Sequence, residues 1–169
     1  MNDRTRKGNR IWLIRRESLQ EESFFAFFMG TLAIVSLGSN IEPRSEYLAR
    51  ALSALSALPS TCLVSASSVI ETDPVDVPAE FAGLRFLNQV AVFDTGLSVR
   101  EFSERMHSVE DALGRVRTVR NGPRTIDLDL IDFGGLVMTE PSLTLPHPRA
   151  RERDFVIKPL RELGIDLWK

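Results

Sequence analysis

The stretch Thr125-Ile126-Asp127-Leu128-Asp129-Leu130-Ile131-Asp132-Phe133 begins with strict alternation of polar and apolar side chains. This period of two predicts a β-strand over residues 125–133. Ile126, Leu128 and Leu130 would then lie on one face, and Asp127 and Asp129 on the other. The two carboxylates leave the same face, with Cα atoms about 6.5–7 Å apart. Because like charges so placed repel each other, the pair requires a compensating positive charge.

Three interpretations of this acidic pair stay open from the pattern alone. Mg²⁺ would suit it, because magnesium prefers hard oxygen ligands. The pair could also be solvated on an edge strand, or be neutralised by arginines. The acid-free segment 115–124 supplies four of these: Arg115, Arg117, Arg120 and Arg124.

A cationic loop that leads into two carboxylates is what a polyphosphate bound with Mg²⁺ requires, since metal and arginines share the phosphate oxygens. The alternatives are a solvated loop and a nucleic-acid patch. The patch is disfavoured because no aromatic residue is interleaved with the arginines.

The remaining patterns predict an α+β fold. From residue 31 the order is strand, helix, strand, strand, helix, strand, which is the split βαβ or ferredoxin-like arrangement. We expect an antiparallel sheet with helices on one face and a C-terminal extension. The predicted strands cover residues 32–37, 62–71, 85–94 and 125–133, with a short one at 136–138, and the predicted helices cover 44–58, 98–113 and 151–163.

Local signals mark several ends and faces. Gly38-Ser39-Asn40 predicts a turn that ends the first strand. Ser98 and Glu101 form a capping box at the start of the second helix. Asn88 alternates with apolar residues on a face expected to be buried, so its amide needs a hydrogen-bond partner.

Composition limits the function classes. The chain has 169 residues and a formal net charge of −2, which argues against nucleic-acid binding by bulk charge. Its single cysteine, Cys62, excludes an internal disulfide and a cysteine-rich zinc site and favours the reducing cytoplasm. We expect a monomer.

The first 28 residues are interpreted as a leader or a misassigned start, followed by one catalytic domain over residues 29–169, with Met29 as a candidate natural start. The uncharged run over residues 24–37 resembles a signal peptide. However, Glu21 and Glu22 precede it, no small-x-small cleavage site follows it, and it is shorter than the roughly 20 residues of a membrane helix. We therefore expect no membrane association.

Beyond these patterns, the chain resembles 6-hydroxymethyl-7,8-dihydropterin pyrophosphokinase, the HPPK family of the folate pathway, over about residues 31–167. The matching segments are Ser36-Leu37-Gly38-Ser39-Asn40, Glu71-Thr72-Asp73-Pro74, Phe86-Leu87-Asn88, Gly114-Arg115-Val116-Arg117, Gly122-Pro123-Arg124-Thr125-Ile126-Asp127-Leu128-Asp129, Leu145-Pro146-His147-Pro148-Arg149, Arg153-Asp154-Phe155-Val156 and Pro159-Leu160. The resemblance implies transfer of the β,γ-pyrophosphate of ATP to the pterin hydroxymethyl group, with release of AMP.

The resemblance also implies roles for residues. Asp127 and Asp129 would hold two Mg²⁺ ions, and Asp129, Arg115 and Arg124 would be catalytic. The nucleotide would be bound by Glu110, Arg117, Leu130, Thr144, His147 and Arg153. The pterin would be bound by Thr72, Val75, Phe86, Asn88 and Phe155, with the two phenylalanines stacking on its ring.

Some alternatives and departures accompany the resemblance. Phe86 and Phe155 could be core residues, and His147, between two prolines, could be structural. Asn121 stands where many members carry an aromatic, and His107 and Ser142 replace a frequent glutamine and arginine. A catalytically inactive pterin- or nucleotide-binding relative and an RNA-binding module are the rival functions.

Overall fold

A computed structural model describes residues 30–116 and 122–168. The predicted leader, Arg117, Arg120 and Asn121 lie outside these residues. The strands are β1 (Thr31–Ser39), β2 (Thr61–Ala66), β3 (Ile70–Thr72), β4 (Phe86–Thr95), β5 (Asp127–Phe133), β6 (Met138–Glu140) and β7 (Leu143–Leu145). The α-helices are α1 (Arg44–Ser56), α2 (Val99–Ala112) and α3 (Asp154–Glu162), and short 3-10 turns cover Ala79–Phe81 and Ala150–Glu152.

The main sheet is antiparallel and has the strand order β2-β4-β1-β5, with β3 also paired to β4. The four strands of this path occur along the chain as β1, β2, β4 and β5. Their order in the sheet, with β1 between β4 and β5 and with β2 at the edge beside β4, confirms the predicted ferredoxin-like fold. The register places Gly38 of β1 between Asn88 of β4 and Asp127 of β5. Similarly, Ser36 lies opposite Asp129.

Two hydrophobic cores cover the two faces of the sheet. On the first face, Val35, Phe93 and Leu128 pack against α1 and α2. On the second face, Ile34 and Val92 pack against α3, the predicted C-terminal extension. Helix α3 covers only part of that face, so the ends of β1, β4 and β5 that carry Gly38, Asn88 and Asp127 remain accessible from this side.

Helix α2 begins as predicted. The Ser98 side chain accepts a hydrogen bond from the Glu101 amide, and the Glu101 carboxylate accepts one from the Ser98 amide. The helix buries the predicted apolar stripe, including Phe102 and Met106, and Gly114 follows it with a φ of +76°. This left-handed conformation favours glycine at a helix end.

Four predicted elements differ in the structure. The strand predicted over 62–71 is two strands, because three residues of the chain, 67–69, lie opposite only two of β4. The turn predicted at Gly38 is wrong, since β1 continues through Ser39. The short strand at 136–138 is replaced by the hairpin of β6 and β7. The last helix begins at Asp154, three residues later than predicted.

Candidate active site

The largest group of predicted site residues lines one pocket, on the second face beside α3. It lies where the strand order brings β1, β4 and β5 together, and the segment after β3 and the segment around Arg149 form its other walls. Its lining residues are Ser36, Gly38, Thr72, Asp73, Val75, Val77, Phe86, Asn88, Arg124, Asp127, Asp129, Arg149, Arg153 and Phe155.

Asp127 is bound by two arginines. Its Oδ1 lies 2.6 Å from Nη2 of Arg115, and its Oδ2 lies 2.6 Å from Nη1 of Arg124. All three side chains are largely buried, which makes the charge-assisted hydrogen bonds stronger than at the surface. In this structure, therefore, two arginines compensate the charge of Asp127.

Asp129 has weaker compensation. Nη1 of Arg153 donates a hydrogen bond of 3.1 Å to its Oδ2. Burial and the nearby negative charge of Asp127 raise the pKa of Asp129 above its ordinary value, despite the opposing charges of His147 and Arg153. The folded protein thus holds Asp129 where its ionised form is disfavoured, and a further cation in the pocket would stabilise that form.

Glu110 positions Arg115 from inside the protein. Its side chain is 1% exposed, and its Oε1 accepts a hydrogen bond of 2.7 Å from the Leu128 amide and another from Nη1 of Arg115. Helix α2, strand β5 and Arg115 are joined at this one oxygen atom. Glu110 was predicted to contact the nucleotide, but it does not line the pocket.

Asn40 positions Arg124 and was not among the predicted site residues. Its side-chain Oδ1 accepts a hydrogen bond of 2.8 Å from the backbone N–H of Arg124, and the backbone N–H of Asn40 donates one of 3.2 Å to the Arg124 carbonyl. Asn40 is buried. The two bonds fix the backbone of Arg124 relative to β1.

On the other side of the pocket, Asn88 has the partner that its burial requires. Its Nδ2 donates a hydrogen bond of 2.8 Å to Oγ1 of Thr72. Gly38 lies against the other end of this amide, since a Cβ atom there would lie 3.1 Å from Oδ1 of Asn88. Gly38 therefore serves close approach within a strand rather than a turn.

Both predicted stacking rings line the pocket, and each has a guanidinium over one face. Cζ of Arg124 lies 5.6 Å from the Phe86 ring centroid, and Cζ of Arg153 lies 5.4 Å from that of Phe155. Each arginine also binds one of the two strand carboxylates. The aromatic side and the acidic side of the pocket are thus joined by two cation–π contacts.

Besides Glu110, three described residues that were predicted to bind the nucleotide do not line the pocket: Leu130, Thr144 and His147. The side chain of Leu130 is buried in the core on the opposite face, so only its backbone could contact a ligand there. Thr144 lies in the β6–β7 hairpin. His147 lies close enough to Asp129 for the two to interact electrostatically, and burial lowers the pKa of His147.

The structure adds pocket residues that were not predicted as site residues: Ser36, Gly38, Asp73, Val77 and Arg149. Ser36 and Gly38 follow from the register with Asp129 and Asp127. Asp73 and Arg149 stood inside the quoted motifs, which was the only signal for them. Nothing in the local sequence singles out Val77.

The acidic pair fits a Mg²⁺ site that is completed by a substrate. Among the described residues no group of three or more His, Cys, Asp or Glu side chains could hold a metal ion. Magnesium is commonly bound by one or two carboxylates, with phosphates and water as its other ligands. Two carboxylates, one with a raised pKa, beside three arginines suit a metal-bound polyphosphate.

The family model and the similar proteins found by comparison agree with one another. Residues 34–165 match the family 7,8-dihydro-6-hydroxymethylpterin-pyrophosphokinase (HPPK). The 2-amino-4-hydroxy-6-hydroxymethyldihydropteridine pyrophosphokinase of Pseudomonas aeruginosa is 41% identical, over 79% of this chain and 80% of its own length. The Bacillus subtilis protein of the same name is 39% identical, over 80% and 79%. The folic acid synthesis protein fol1 of Schizosaccharomyces pombe is 35% identical, over 80% of this chain and 18% of its own length.

Solved structures support the fold. A crystal structure of HPPK-DHPS in complex with substrates matches with a TM-score of 0.62 at 11% identity, over 83% of this chain. Plasmodium falciparum HPPK-DHPS matches with a TM-score of 0.59 at 12% identity, over 80% of this chain. The chain spans about two fifths of each of these longer chains.

Proposed function

The chain belongs to the 7,8-dihydro-6-hydroxymethylpterin-pyrophosphokinase family, and on that premise we propose how its pocket transfers pyrophosphate from ATP to the pterin in folate biosynthesis. The pterin hydroxymethyl oxygen attacks the β-phosphorus of ATP, and the bond from that phosphorus to the α,β-bridging oxygen breaks, so AMP leaves. The observation that carries the assignment of the site is the pair Asp127 and Asp129, which shares one pocket with the aromatic rings.

Asp127 and Asp129 are proposed to hold two Mg²⁺ ions. Their positions two residues apart on β5, on the pocket side, support this role. When bound there, Mg²⁺ neutralises phosphate charge and polarises the phosphoryl group under attack. The pKa of Asp129 is raised, as expected of a carboxylate whose ionised form a bound cation would stabilise.

Arg115, Arg124 and Arg153 are proposed to bind the phosphate oxygens. A guanidinium has five N–H donors in a planar fork, and the bonds to Glu110, Asp127 and Asp129 leave some of them for phosphate. Fixed positive charge stabilises a phosphoryl-transfer transition state best when it needs no rearrangement. The Asn40 and Glu110 contacts supply that rigidity for Arg124 and Arg115.

Asp129 is proposed to accept the proton of the attacking hydroxyl. The position of Asp129 supports this role, since it lines the same pocket as Phe86 and Phe155, and a general base must lie within hydrogen-bond reach of the proton that it accepts. Arg153 would keep the carboxylate oriented during this transfer.

Asn88, Thr72, Val75, Phe86 and Phe155 are proposed to bind the pterin. The flat ring would lie between the two phenylalanines, since both line the pocket. Asn88 would read the polar edge of the ring, because its amide is buried and already oriented by Thr72. The hydroxymethyl group would then point toward β5, where the carboxylates lie.

The remaining predicted contacts complete the proposal. Glu110, Leu130, Thr144, His147 and Arg117 would serve the nucleotide: Glu110 through Arg115, and Leu130 through its backbone. The Arg149 amide donates a hydrogen bond of 3.2 Å to Nδ1 of His147, which leaves Nε2 as the protonated nitrogen able to donate to ATP.

We also propose a monomer in the cytoplasm, since one chain supplies the pocket and the chain has a single cysteine. Of the described helices, none has the length and apolar character needed to cross a bilayer.

AMP release from ATP with Mg²⁺, with and without 6-hydroxymethyl-7,8-dihydropterin, tests this function. We expect pterin-dependent AMP that disappears with EDTA and returns with excess Mg²⁺. Asp127→Ala should lower the rate at least a hundredfold, about the loss expected for a group that organises transition-state charge. Glu104→Ala, at an exposed acid on α2, is the matched control and should leave the rate unchanged.

The opposite results would contradict the proposal. A folded wild-type protein that binds the pterin but releases no AMP would be a non-catalytic relative. An Asp127→Ala protein with full activity would remove the acidic pair from the mechanism.

A further inference from the structure

An ion pair between Asp76 and Arg149 ties the pocket wall after β3 to the opposite wall. Nη2 of Arg149 lies 2.7 Å from Oδ2 of Asp76, although the two residues are 73 positions apart. Asp76 lies between Val75 and Val77, which both line the pocket, and Arg149 lines it from the other side. The pair therefore joins the two walls.

The backbone on the Asp76 side is confined. Pro74 and Pro78 flank the segment and fix two φ angles. Asp76 itself has a φ of +56°, a left-handed conformation that aspartate and asparagine tolerate better than most residues. At the beginning of the segment, Nε of Arg85 donates a hydrogen bond of 2.9 Å to Asp73. The Asp76 contact ties the far end of this segment to the wall that Arg149 forms.

The backbone on the Arg149 side is connected to the acidic strand. The His147 amide donates a hydrogen bond of 2.9 Å to the carbonyl of Ile131, two residues after Asp129, and the Arg149 amide binds the His147 ring. The guanidinium of Arg149 is thus presented from a segment attached to β5. The Asp76 pair connects the proposed pterin wall to the strand that carries the carboxylates.

We propose that Asp76 and Arg149 are positioning residues for the pterin, which rests on the proposed function. Both side chains are about half exposed (61% and 47%), so their pair adds little to the stability of the fold. Its effect is to hold Val75 and Val77 against the pterin end of the pocket. The free energy of the pair appears in pterin affinity, and not in the phosphoryl-transfer step.

Steady-state kinetics of Asp76→Asn, Arg149→Gln and the double variant test this role. Asparagine keeps the tolerance for a left-handed backbone and removes the charge. At saturating ATP we expect the pterin KM to rise about three- to fivefold in each single variant, the size of one exposed ion pair. The double variant should show no further rise, while kcat and the ATP KM stay within twofold.

Two controls isolate the pair. Arg100→Gln breaks a remote exposed ion pair with Glu140 of similar length, 2.6 Å, and should leave all constants unchanged. Asp76→Gly keeps the backbone conformation without the carboxylate and should match Asp76→Asn.

The salt dependence is a further test of the ion pair. In wild type, the pterin KM should rise with added NaCl, and in the variants it should rise much less.

Other outcomes would overturn the inference. An unchanged pterin KM in Asp76→Asn would show that the Asp76–Arg149 ion pair does not position the pterin. A rise of the ATP KM in Arg149→Gln alone would make Arg149 a phosphate ligand independent of Asp76. Equilibrium dialysis of the pterin gives the same comparison without turnover, so a failure of the proposed reaction and a failure of the pair are distinguishable.

Discussion

Arg153 joins the acidic strand to the aromatic wall of the pocket: its Nη1 lies 3.1 Å from Oδ2 of Asp129, and its Cζ lies 5.4 Å from the Phe155 ring centroid. One side chain thus contacts both halves of the site. Because Arg153 directly precedes α3, the helix that packs on the second face also fixes the separation of these halves. The single hydrogen bond is insufficient to offset the burial of Asp129, whose pKa remains raised.

Asp129→Asn should stabilise the protein while it abolishes activity. The ionised carboxylate is disfavoured in the folded state by burial and by Asp127. Asparagine removes that charge and still offers Arg153 an acceptor. In EDTA at pH 7 we expect the Tm to rise by about 1–3 °C, corresponding to less than about 1 kcal/mol for a domain of this size. Differential scanning calorimetry would measure it.

The pH dependence provides the check on that prediction. A carboxyl group whose folded pKa lies above its unfolded pKa binds its proton more readily when folded, so its destabilising effect disappears as the pH falls through the folded value. The Tm difference between Asp129→Asn and wild type should therefore shrink from pH 7 toward acid. A constant difference would contradict the raised pKa of Asp129.

Gly38→Ala should weaken pterin binding without unfolding the protein. Its new Cβ would lie 3.1 Å from Oδ1 of Asn88 and 3.7 Å from Cδ1 of Phe86, so the Asn88 amide must shift. We expect the pterin KM to rise about fivefold or more, the scale of a crowded contact of about 1 kcal/mol.

Gly83→Ala is the matched control for this crowding. A Cβ at Gly83 has no neighbour within 4 Å, so the pterin KM should not change. Equal effects of both substitutions would show that backbone entropy, rather than the Asn88 contact, determines the result.

The sequence predicts those features of the site that depend on residues close together along the chain. The alternation in 125–133 placed Asp127 and Asp129 on one face, and burial of Asn88 demanded a partner, which the structure identifies as Thr72. The same alternation placed Leu130 on the opposite face. The nucleotide contact that the resemblance implies for Leu130 therefore falls to its backbone and not to its buried side chain.

Contacts between distant segments had no such signal. The bond from the Arg124 amide to Asn40 spans 84 positions, and the Asp76–Arg149 pair spans 73. Each depends on how the sheet register and the loops bring the segments together. Gly38 was misinterpreted for another reason: glycine marks turns and close approaches alike, and only the neighbouring Asn88 distinguishes the two.

Ser98→Ala should destabilise the fold by about 1 kcal/mol, the usual cost of losing an N-cap side chain. It removes the acceptor for the Glu101 amide at the start of α2. Urea denaturation would measure the change. Ser108→Ala, whose exposed hydroxyl bonds the Glu104 carbonyl within the helix, should change the free energy of unfolding much less. Equal losses would contradict the capping box.

Asn40→Ala should lower kcat about tenfold with little change in either KM. Without the Asn40 side chain, the Arg124 amide loses its acceptor at 2.8 Å, and the guanidinium that binds Asp127 is no longer held in place. A displacement of 1 Å or less in a charged group is sufficient for a loss of about this size.

Asn40→Asp separates positioning from a general loss of structure, because an aspartate oxygen can accept the same hydrogen bond from the Arg124 amide. We expect this variant to recover most of kcat, as measured by AMP release at saturating ATP and pterin. If both variants lose kcat equally while their Tm values match wild type, the Asn40 side chain acts through something other than this bond. If Asn40→Ala retains full kcat, the backbone of Arg124 is held by the carbonyl contact alone, and Asn40 has no part in catalysis.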